Sequence, residues 1–243
     1  MKRGRTPPAR EAENKLLFGA FEEESYRHGF KCVAGLDEVG RGPLAGPVVA
    51  AAVVLPRGFS HPDIKDSKLL TAKQRERLAP VIKSHAESWG LGVVEVTEID
   101  RINILKASLW AMAKAFHSLN RAPDCLLIDG NQPIPPEFFA AEGPAAGLPP
   151  QQQTIVKGDR LCLSIAAASI LAKVARDEMM MELDKSFPEY GFAGHKGYGS
   201  AAHLEALQRF GPSPVHRRSF KPVRDLCGEP ADDDGGRLFK VRA

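Results

Sequence analysis

Gly35-Leu36-Asp37-Glu38-Val39-Gly40-Arg41-Gly42 stands between two apolar runs, residues 30–36 and 48–55, the second built largely of Val and Ala. Both runs have strand composition. The segment 40–47 between them carries Gly40, Gly42, Pro43, Gly46 and Pro47, so an antiparallel pair joined by a turn-rich loop is predicted. Outward from this pair the chain alternates element types. Residues 15–29 predict a short helix starting at Asn14. Residues 71–88 predict an amphipathic helix with Thr71 as N-cap and Leu78, Val81, Ile82 and His85 on one face. A strand is expected at 90–96, and a helix at 104–120 with Leu105, Leu109, Met112 and Phe116 at helical spacing. A short apolar strand at 125–128 ends on Asp129-Gly130, and another strand is expected at 154–156. Residues 161–185 predict a long helix containing Ala166-Ala167-Ala168-Ser169, and 201–210 a last one before Pro212 and Pro214. Strands first, then strands alternating with helices, argue for an α/β fold: a sheet of mixed direction with helices on its faces.

With 43% hydrophobic and 26% charged residues, the chain has ample apolar surface for one large domain, or a domain with an appendage. The net charge of +3 is compatible with a polyanionic partner but does not require one. Cys32, Cys125, Cys162 and Cys227 are far apart in sequence, which leaves no Cys-x-x-Cys metal or redox motif and favours reduced thiols. No run approaches the roughly 18 apolar residues of a membrane span. The basic start Met1-Lys2-Arg3-Gly4-Arg5 precedes no apolar core of a signal peptide, so a cytoplasmic protein is expected. The expected organisation is a polar lead-in over 1–14, a main domain over 15–226, and a flexible tail over 227–243 carrying Asp232-Asp233-Asp234. Residues 140–153, with Gly143-Pro144, Pro149-Pro150 and three glutamines, read as an exposed loop or insertion.

Several acids stand where chemistry is possible. Adjacent carboxylates at the end of an apolar strand, Asp37-Glu38, are costly to bury unless paired or bound to metal; otherwise they are solvated turn acids. The glycines beside them let peptide N–H groups approach a ligand, and Arg41 adds a phosphate-binding fork. Neighbours on a strand point to opposite faces, so sharing one site requires the strand to end or kink at Glu38. Asp129 is either a turn residue or a third acid at a strand end. Asp159, in Lys157-Gly158-Asp159, is either a cap for the long helix or a fourth acid. Asp177 competes for that role but has Lys173 four residues before it, as in a helical ion pair. Tyr198, in His195-Lys196-Gly197-Tyr198-Gly199, either stacks on a nucleic-acid sugar or base or plugs the core. His216-Arg217-Arg218-Ser219 with Lys221 is either a phosphate-binding cluster or a solvated charge run. Asp66-Ser67-Lys68 precedes the first long helix, and Lys68 is a candidate phosphate contact or an ordinary turn residue.

The block at 35–47, Asp66-Ser67-Lys68, Asp129-Gly130-Asn131, Lys157-Gly158-Asp159, the run Ala167-Ala168-Ser169-Ile170-Leu171-Ala172-Lys173, and His195-Lys196-Gly197-Tyr198-Gly199 together resemble bacterial ribonuclease HII, over about residues 30–225. The resemblance implies a ribonuclease H-like fold: a mixed five-stranded sheet flanked by helices, with a C-terminal helical extension over about 186–226. It implies an endonuclease that hydrolyses the RNA strand of RNA/DNA hybrids. It also implies cutting 5′ of ribonucleotides embedded in duplex DNA, with a 5′-phosphate and a 3′-hydroxyl as products. The implied roles are RNA primer removal and ribonucleotide excision, carried out by a monomer. Asp37, Glu38, Asp129 and Asp159 become the catalytic acids holding Mn²⁺ or Mg²⁺, which selects Asp159 over Asp177. Gly40, Arg41 and Gly42 become the contacts to the 2′-OH, and Tyr198 stacks on the sugar past the junction. Lys68, Ser169, Lys173 and Lys196 are further substrate-side positions within the shared motifs. An alternative of the same chemistry is a metal-dependent nuclease acting on DNA junctions, which an all-DNA substrate would distinguish. A third is a non-catalytic binder, whose binding would survive chelation.

Overall fold

A computed structural model describes residues 18–142 and 150–228. The lead-in 1–14, most of the acidic tail and the middle of the 140–153 segment lie outside these residues. At the centre is a five-stranded sheet of order β3-β2-β1-β4-β5, with β1 Val33–Val39, β2 Val48–Val54, β3 Ser88–Val94, β4 Cys125–Asp129 and β5 Gln151–Ile155. β2 is antiparallel to β1 and β3, while β4 and β5 run parallel to β1 and to each other. The predicted hairpin and the mixed sheet are therefore both present. Every residue of β2 is buried, as a run of Val and Ala covered on both faces requires.

The helices are α1 Ala20–Arg27, α2 Ala72–His85, α3 Val96–Ile102, α4 Ile104–His117, α5 Pro136–Ala141, α6 Leu163–Ser186, the short α7 Phe192–His195, α8 Ala201–Phe210 and α9 Lys221–Cys227. α4 covers one sheet face, packing Leu109, Met112 and Phe116 against Leu36, Ala50 and Ile128; Leu105, predicted for that stripe, is exposed. α6 and α2 cover the other face through Ala166, Ala167, Ala168, Leu78 and Ile82. Gly35 of β1 is what lets α6 close on that strand: a Cβ there would overlap the backbone of Ser164 and Ile165. A third core, of Leu44, Ala45, Met180, Tyr190, Phe192, Leu207 and Val223, fastens the C-terminal helices to the Gly40–Pro47 loop. Cys32, Cys125 and Cys162 are buried free thiols, as expected.

Several expected boundaries are corrected. Within the described residues the first helix starts at Ala20, after Gly19 in a left-handed conformation; the expected start at Asn14 lies outside them. Thr71 does cap α2, in a reciprocal pair with Gln74, but the helix stops at His85 and Ser88 already belongs to β3. His85 is exposed and rests against Phe59, ring centroids 5.5 Å apart, rather than joining the buried face. The third strand ends at Val94, and Val96 opens α3, which periodicity missed. Part of the expected 140–153 loop is ordered: α5 runs to Ala141 and β5 starts at Gln151. The Gln152 side chain bonds both backbone groups of Ile134, at 2.8 and 3.0 Å, which explains a glutamine in a strand.

Candidate active site

β1 and β4 are parallel with Leu36 opposite Ile128, so the next residues, Asp37 and Asp129, fall side by side, Asp129 at the end of β4 and Asp37 near that of β1. β5 then returns through Lys157, which has positive φ, into a 3-10 turn at Gly158–Arg160. The Gly158 N–H donates to Asp129 Oδ1 at 2.7 Å, bringing Asp159 alongside. Three acids distant in sequence are thus gathered by the sheet register. Ser169, buried on α6, hydrogen-bonds the Ser67 hydroxyl at 2.8 Å and also reaches Asp37.

Glu38 does not arrive as expected. β1 neither ends nor kinks there: Glu38 stays in the ladder opposite Ala50, and Val39 follows opposite Val49. Asp37 and Glu38 therefore leave opposite faces of β1. β4 stops at Asp129, so the edge of β1 beyond it is open, and Glu38 lies near enough for its charge to act on Asp37 and to feel that of Asp129.

Burial and mutual repulsion raise the carboxyls of the cluster. Asp37 is buried, and burial first, then the charges of Glu38 and Asp129, push its carboxyl well above the usual range. Burial raises Glu38 too, with Arg41 opposing and Asp129 adding to the rise. Asp129 is raised by burial and then by Asp159. Each carboxylate leans on a local partner. Asp37 accepts the Glu38 N–H at 2.8 Å, Glu38 meets Arg41 at 3.4 Å, and Asp159 meets Lys68 Nζ at 3.2 Å. Among the described residues, no three acidic, His or Cys side chains already converge on one point as a ligand set. The donors are nonetheless the hard oxygens that Mg²⁺ or Mn²⁺ takes, and their mutual repulsion is relieved by positive charge, so the residues fit such an ion. Lys68, whose side chain is 75% exposed, supplies a positive charge to the buried Asp159.

Around the acids, Asp66-Ser67-Lys68 is stitched in place, with Asp66 buried and holding Arg160 Nε at 3.0 Å. Tyr198 is 45% exposed, with its ring edge 3.6 Å from where a Cβ on Gly42 would lie, so the two predicted readers of substrate are neighbours. Lys173 and Asp177 form the expected helical ion pair at 2.6 Å. Lys196 Nζ bends back to the Ala193 carbonyl at 2.7 Å.

Neither reading of the 216–221 basic run holds for its first two residues. His216 and Arg217 are buried, and Arg217 donates to the carbonyls of Gly40, Arg41, Gly46 and Pro47. Arg176 on α6, equally buried, donates to Ala45, Pro47 and Lys196. The available signal was a glycine- and proline-rich loop whose carbonyls have no strand partner and so need donors.

His203 and His216 add a directional chain. The Ser213 N–H donates to His216 Nδ1 at 3.0 Å, which places the His216 proton on Nε2. That N–H meets His203 Nε2 at 3.0 Å, leaving His203 Nδ1–H to donate to the Tyr198 carbonyl at 2.9 Å. The Tyr198 loop is thus held by neutral imidazoles.

The sequence profile of ribonuclease HII matches residues 34–223. The ribonuclease HII of Geobacter sulfurreducens is 52% identical over 209 residues, 86% of this chain and 91% of that protein. That of Chlamydia pneumoniae is 46% identical over 218 residues, 89% of this chain and 96% of its own length. The crystal structure of ribonuclease H2 from Pyrococcus horikoshii OT3 superposes with a TM-score of 0.65 at 28% identity, covering 81% of this chain and 97% of that one. With a ribonuclease H-like sheet, acids gathered at its strand ends and half-identity to such relatives over most of its length, this chain belongs to the ribonuclease HII family, hydrolases that cut RNA in RNA/DNA hybrids.

Proposed function

We propose that Asp37, Glu38, Asp129 and Asp159 are the catalytic acids and hold Mn²⁺ or Mg²⁺, and that the enzyme cuts 5′ of ribonucleotides embedded in duplex DNA as well as within longer hybrids. The observation that carries the reading is the buried Asp37 carboxyl, driven up by burial and by two neighbouring acids at the open end of β1. Such a site is stable as carboxylates only with added positive charge. The chemistry a bound divalent ion supplies is acidification of water and neutralisation of charge at the phosphate. The protein's own part is positioning. The crevice wall of β1 and β4 sets the acids, Lys68 is poised for a phosphate oxygen, and the Gly40-Arg41-Gly42 loop, exposed at Arg41 and Gly42, and Tyr198 face substrate from one side. A 2′-OH is the mark that separates RNA from DNA, and backbone N–H groups on a bare glycine loop suit it.

Cleavage of a DNA duplex carrying one ribonucleotide, with Mn²⁺, Mg²⁺ or chelator, tests this reading. The expected result is metal-dependent cutting on the 5′ side of the ribonucleotide, with 5′-phosphate ends, and no cutting of the all-DNA duplex. Asp37→Asn is expected to keep its circular dichroism and lose all cleavage; full activity in that variant would remove the assignment.

A further inference from the structure

The Gly40–Pro47 loop belongs to no ladder beyond one bridge, Ala45 to His216, yet its backbone is defined on one side throughout. Leu44 N–H donates to Gly197 O at 2.8 Å, and Gly46 N–H to Val215 O at 2.9 Å. Its carbonyls are collected by two guanidinium groups. Arg217 Nη2 donates to Gly40 O at 2.6 Å and Nη1 to Arg41 O at 3.1 Å, while Nε and Nη2 hold Gly46 O. Arg176 ties Ala45 and Pro47 to the Lys196 carbonyl, joining this loop to the one that carries Tyr198. Neither arginine forms a salt bridge among the described residues. Burial, and then the like charge of Arg176, lowers Arg217 to about 9. A buried cation is costly to desolvate, but here it supplies donors to carbonyls that no ladder satisfies. Fixing the direction of those carbonyls serves a second purpose.

That purpose lies on the opposite side of the peptide planes. The described peptide bonds are trans. In a trans unit the carbonyl of one residue and the N–H of the next point in opposite directions. With the Gly40 and Arg41 carbonyls turned inward onto Arg217, the N–H groups of Arg41 and Gly42 are turned outward. Both residues are exposed, and neither N–H meets an acceptor among the described residues. Two successive outward N–H groups form a small concavity for an oxygen acceptor.

We infer that Arg217, assisted by Arg176, is a positioning residue for substrate reading: it fixes the peptide planes of Gly40 and Arg41 so that consecutive N–H donors face the ribonucleotide, and Arg176 locks that loop to the Tyr198 loop. The inference rests on the reading of Gly40–Gly42 as the ribonucleotide-facing element. Lysine cannot replace either arginine, because a compact ammonium has three donors and no planar fork to span carbonyls on both arms of a loop.

The test compares wild type, Arg217→Lys and Arg176→Lys on a DNA duplex carrying one ribonucleotide in Mn²⁺. Both variants are expected to lose tenfold or more in kcat/KM, mostly in kcat. The Mn²⁺ concentration giving half-maximal residual rate should stay unchanged, because β1 and β4 are not touched. Unchanged kcat/KM in a folded Arg217→Lys protein would overturn the inference, and so would a loss accompanied by an equal weakening of the Mn²⁺ response. Should the variants not fold, backbone amide exchange in wild type still decides. The Arg41 and Gly42 amides should exchange freely in the unbound protein and become protected in Asp37→Asn protein saturated with the same duplex. Protection already present without duplex would contradict outward-facing donors. Failure of wild type to cut at the ribonucleotide would instead remove the functional reading beneath the inference.

Discussion

A methyl group added at Gly42 would meet the Tyr198 ring at 3.6 Å, ordinary van der Waals contact, on backbone that any residue adopts. Gly42→Ala is therefore expected to melt within a degree or two of wild type. Because the methyl fills the gap between the two reader loops, cleavage at an embedded ribonucleotide should fall about tenfold, the equivalent of one misplaced hydrogen bond. Gly40 differs. Its φ is 98°, and a Cβ there would collide with the Arg176 side chain. Gly40→Ala should cost about 2 kcal/mol or more in urea denaturation, from the left-handed backbone alone before the guanidinium is displaced. At this scale the sequence was most informative about acids and glycines, because few other reasons place Asp-Glu beside Gly-Arg-Gly. It was least informative about Arg176, His203, His216 and Arg217. A buried arginine and a solvated one are spelled alike, and what separates them here is a loop more than a hundred residues away.

Among the elements, α6 shows how a helix start is held by another helix. Its N-cap, Cys162, offers no side-chain bond, and Glu22 of α1 instead accepts from Ser164 N–H at 2.8 Å and from the Ser164 hydroxyl at 2.7 Å. A carboxylate there meets both unpaired donors and the helix dipole. Glu22→Ala should lower stability by about 1 kcal/mol, read by urea denaturation, with kcat unchanged since the catalytic strands are untouched. α2 and α4 were legible because their apolar stripes match the sheet they cover, α6 because of its run of small residues, and α8 because Pro212 and Pro214 mark its end. α3 was hidden because it begins two residues after β3 with no glycine or proline between them. The start of β5 was hidden because its glutamines answer to Ile134 and to a sheet edge, neither of which periodicity encodes. Glu38 was misjudged for a related reason. The alternation rule was sound, but how the strand could serve two faces depended on where β4 stops.

Taken as a whole, the molecule should be sensitive to mild acid in its C-terminal core. Burial, and then the neighbouring His203, depress His216 to about 4, and burial lowers His203 as well. A histidine depressed in the folded state binds its proton more readily when unfolded. Its contribution is complete above the unfolded value near 6.5 and is lost as pH falls from there towards about 4. For His216 alone that loss is on the order of 3 kcal/mol. Protonation would also set a donor against the Ser213 N–H or the partner imidazole, breaking the chain that holds the Tyr198 carbonyl. Between pH 7 and pH 4.5 the raised Asp37, Glu38 and Asp129 carboxyls act in the opposite sense, so the histidine contribution is read as a difference: wild type should lose more stability to urea over that range than His216→Asn. An unchanged slope in the variant would place the acid sensitivity elsewhere.

The clamp on the Gly40–Pro47 loop also bears on when the enzyme can become active during its own synthesis. Arg217 reaches a carbonyl 177 residues earlier in the chain, and the one bridge of the loop pairs Ala45 with His216. Ribosomes deliver residues in order, so β1 and its acids emerge long before the side chain that shapes the loop beside them. A nascent chain can complete its sheet once β5 has emerged, yet its loop stays unformed until the segment around Arg217 clears the exit tunnel. A chain made this way gains its ordered Gly40–Pro47 loop late, well after β1 and its acids have emerged.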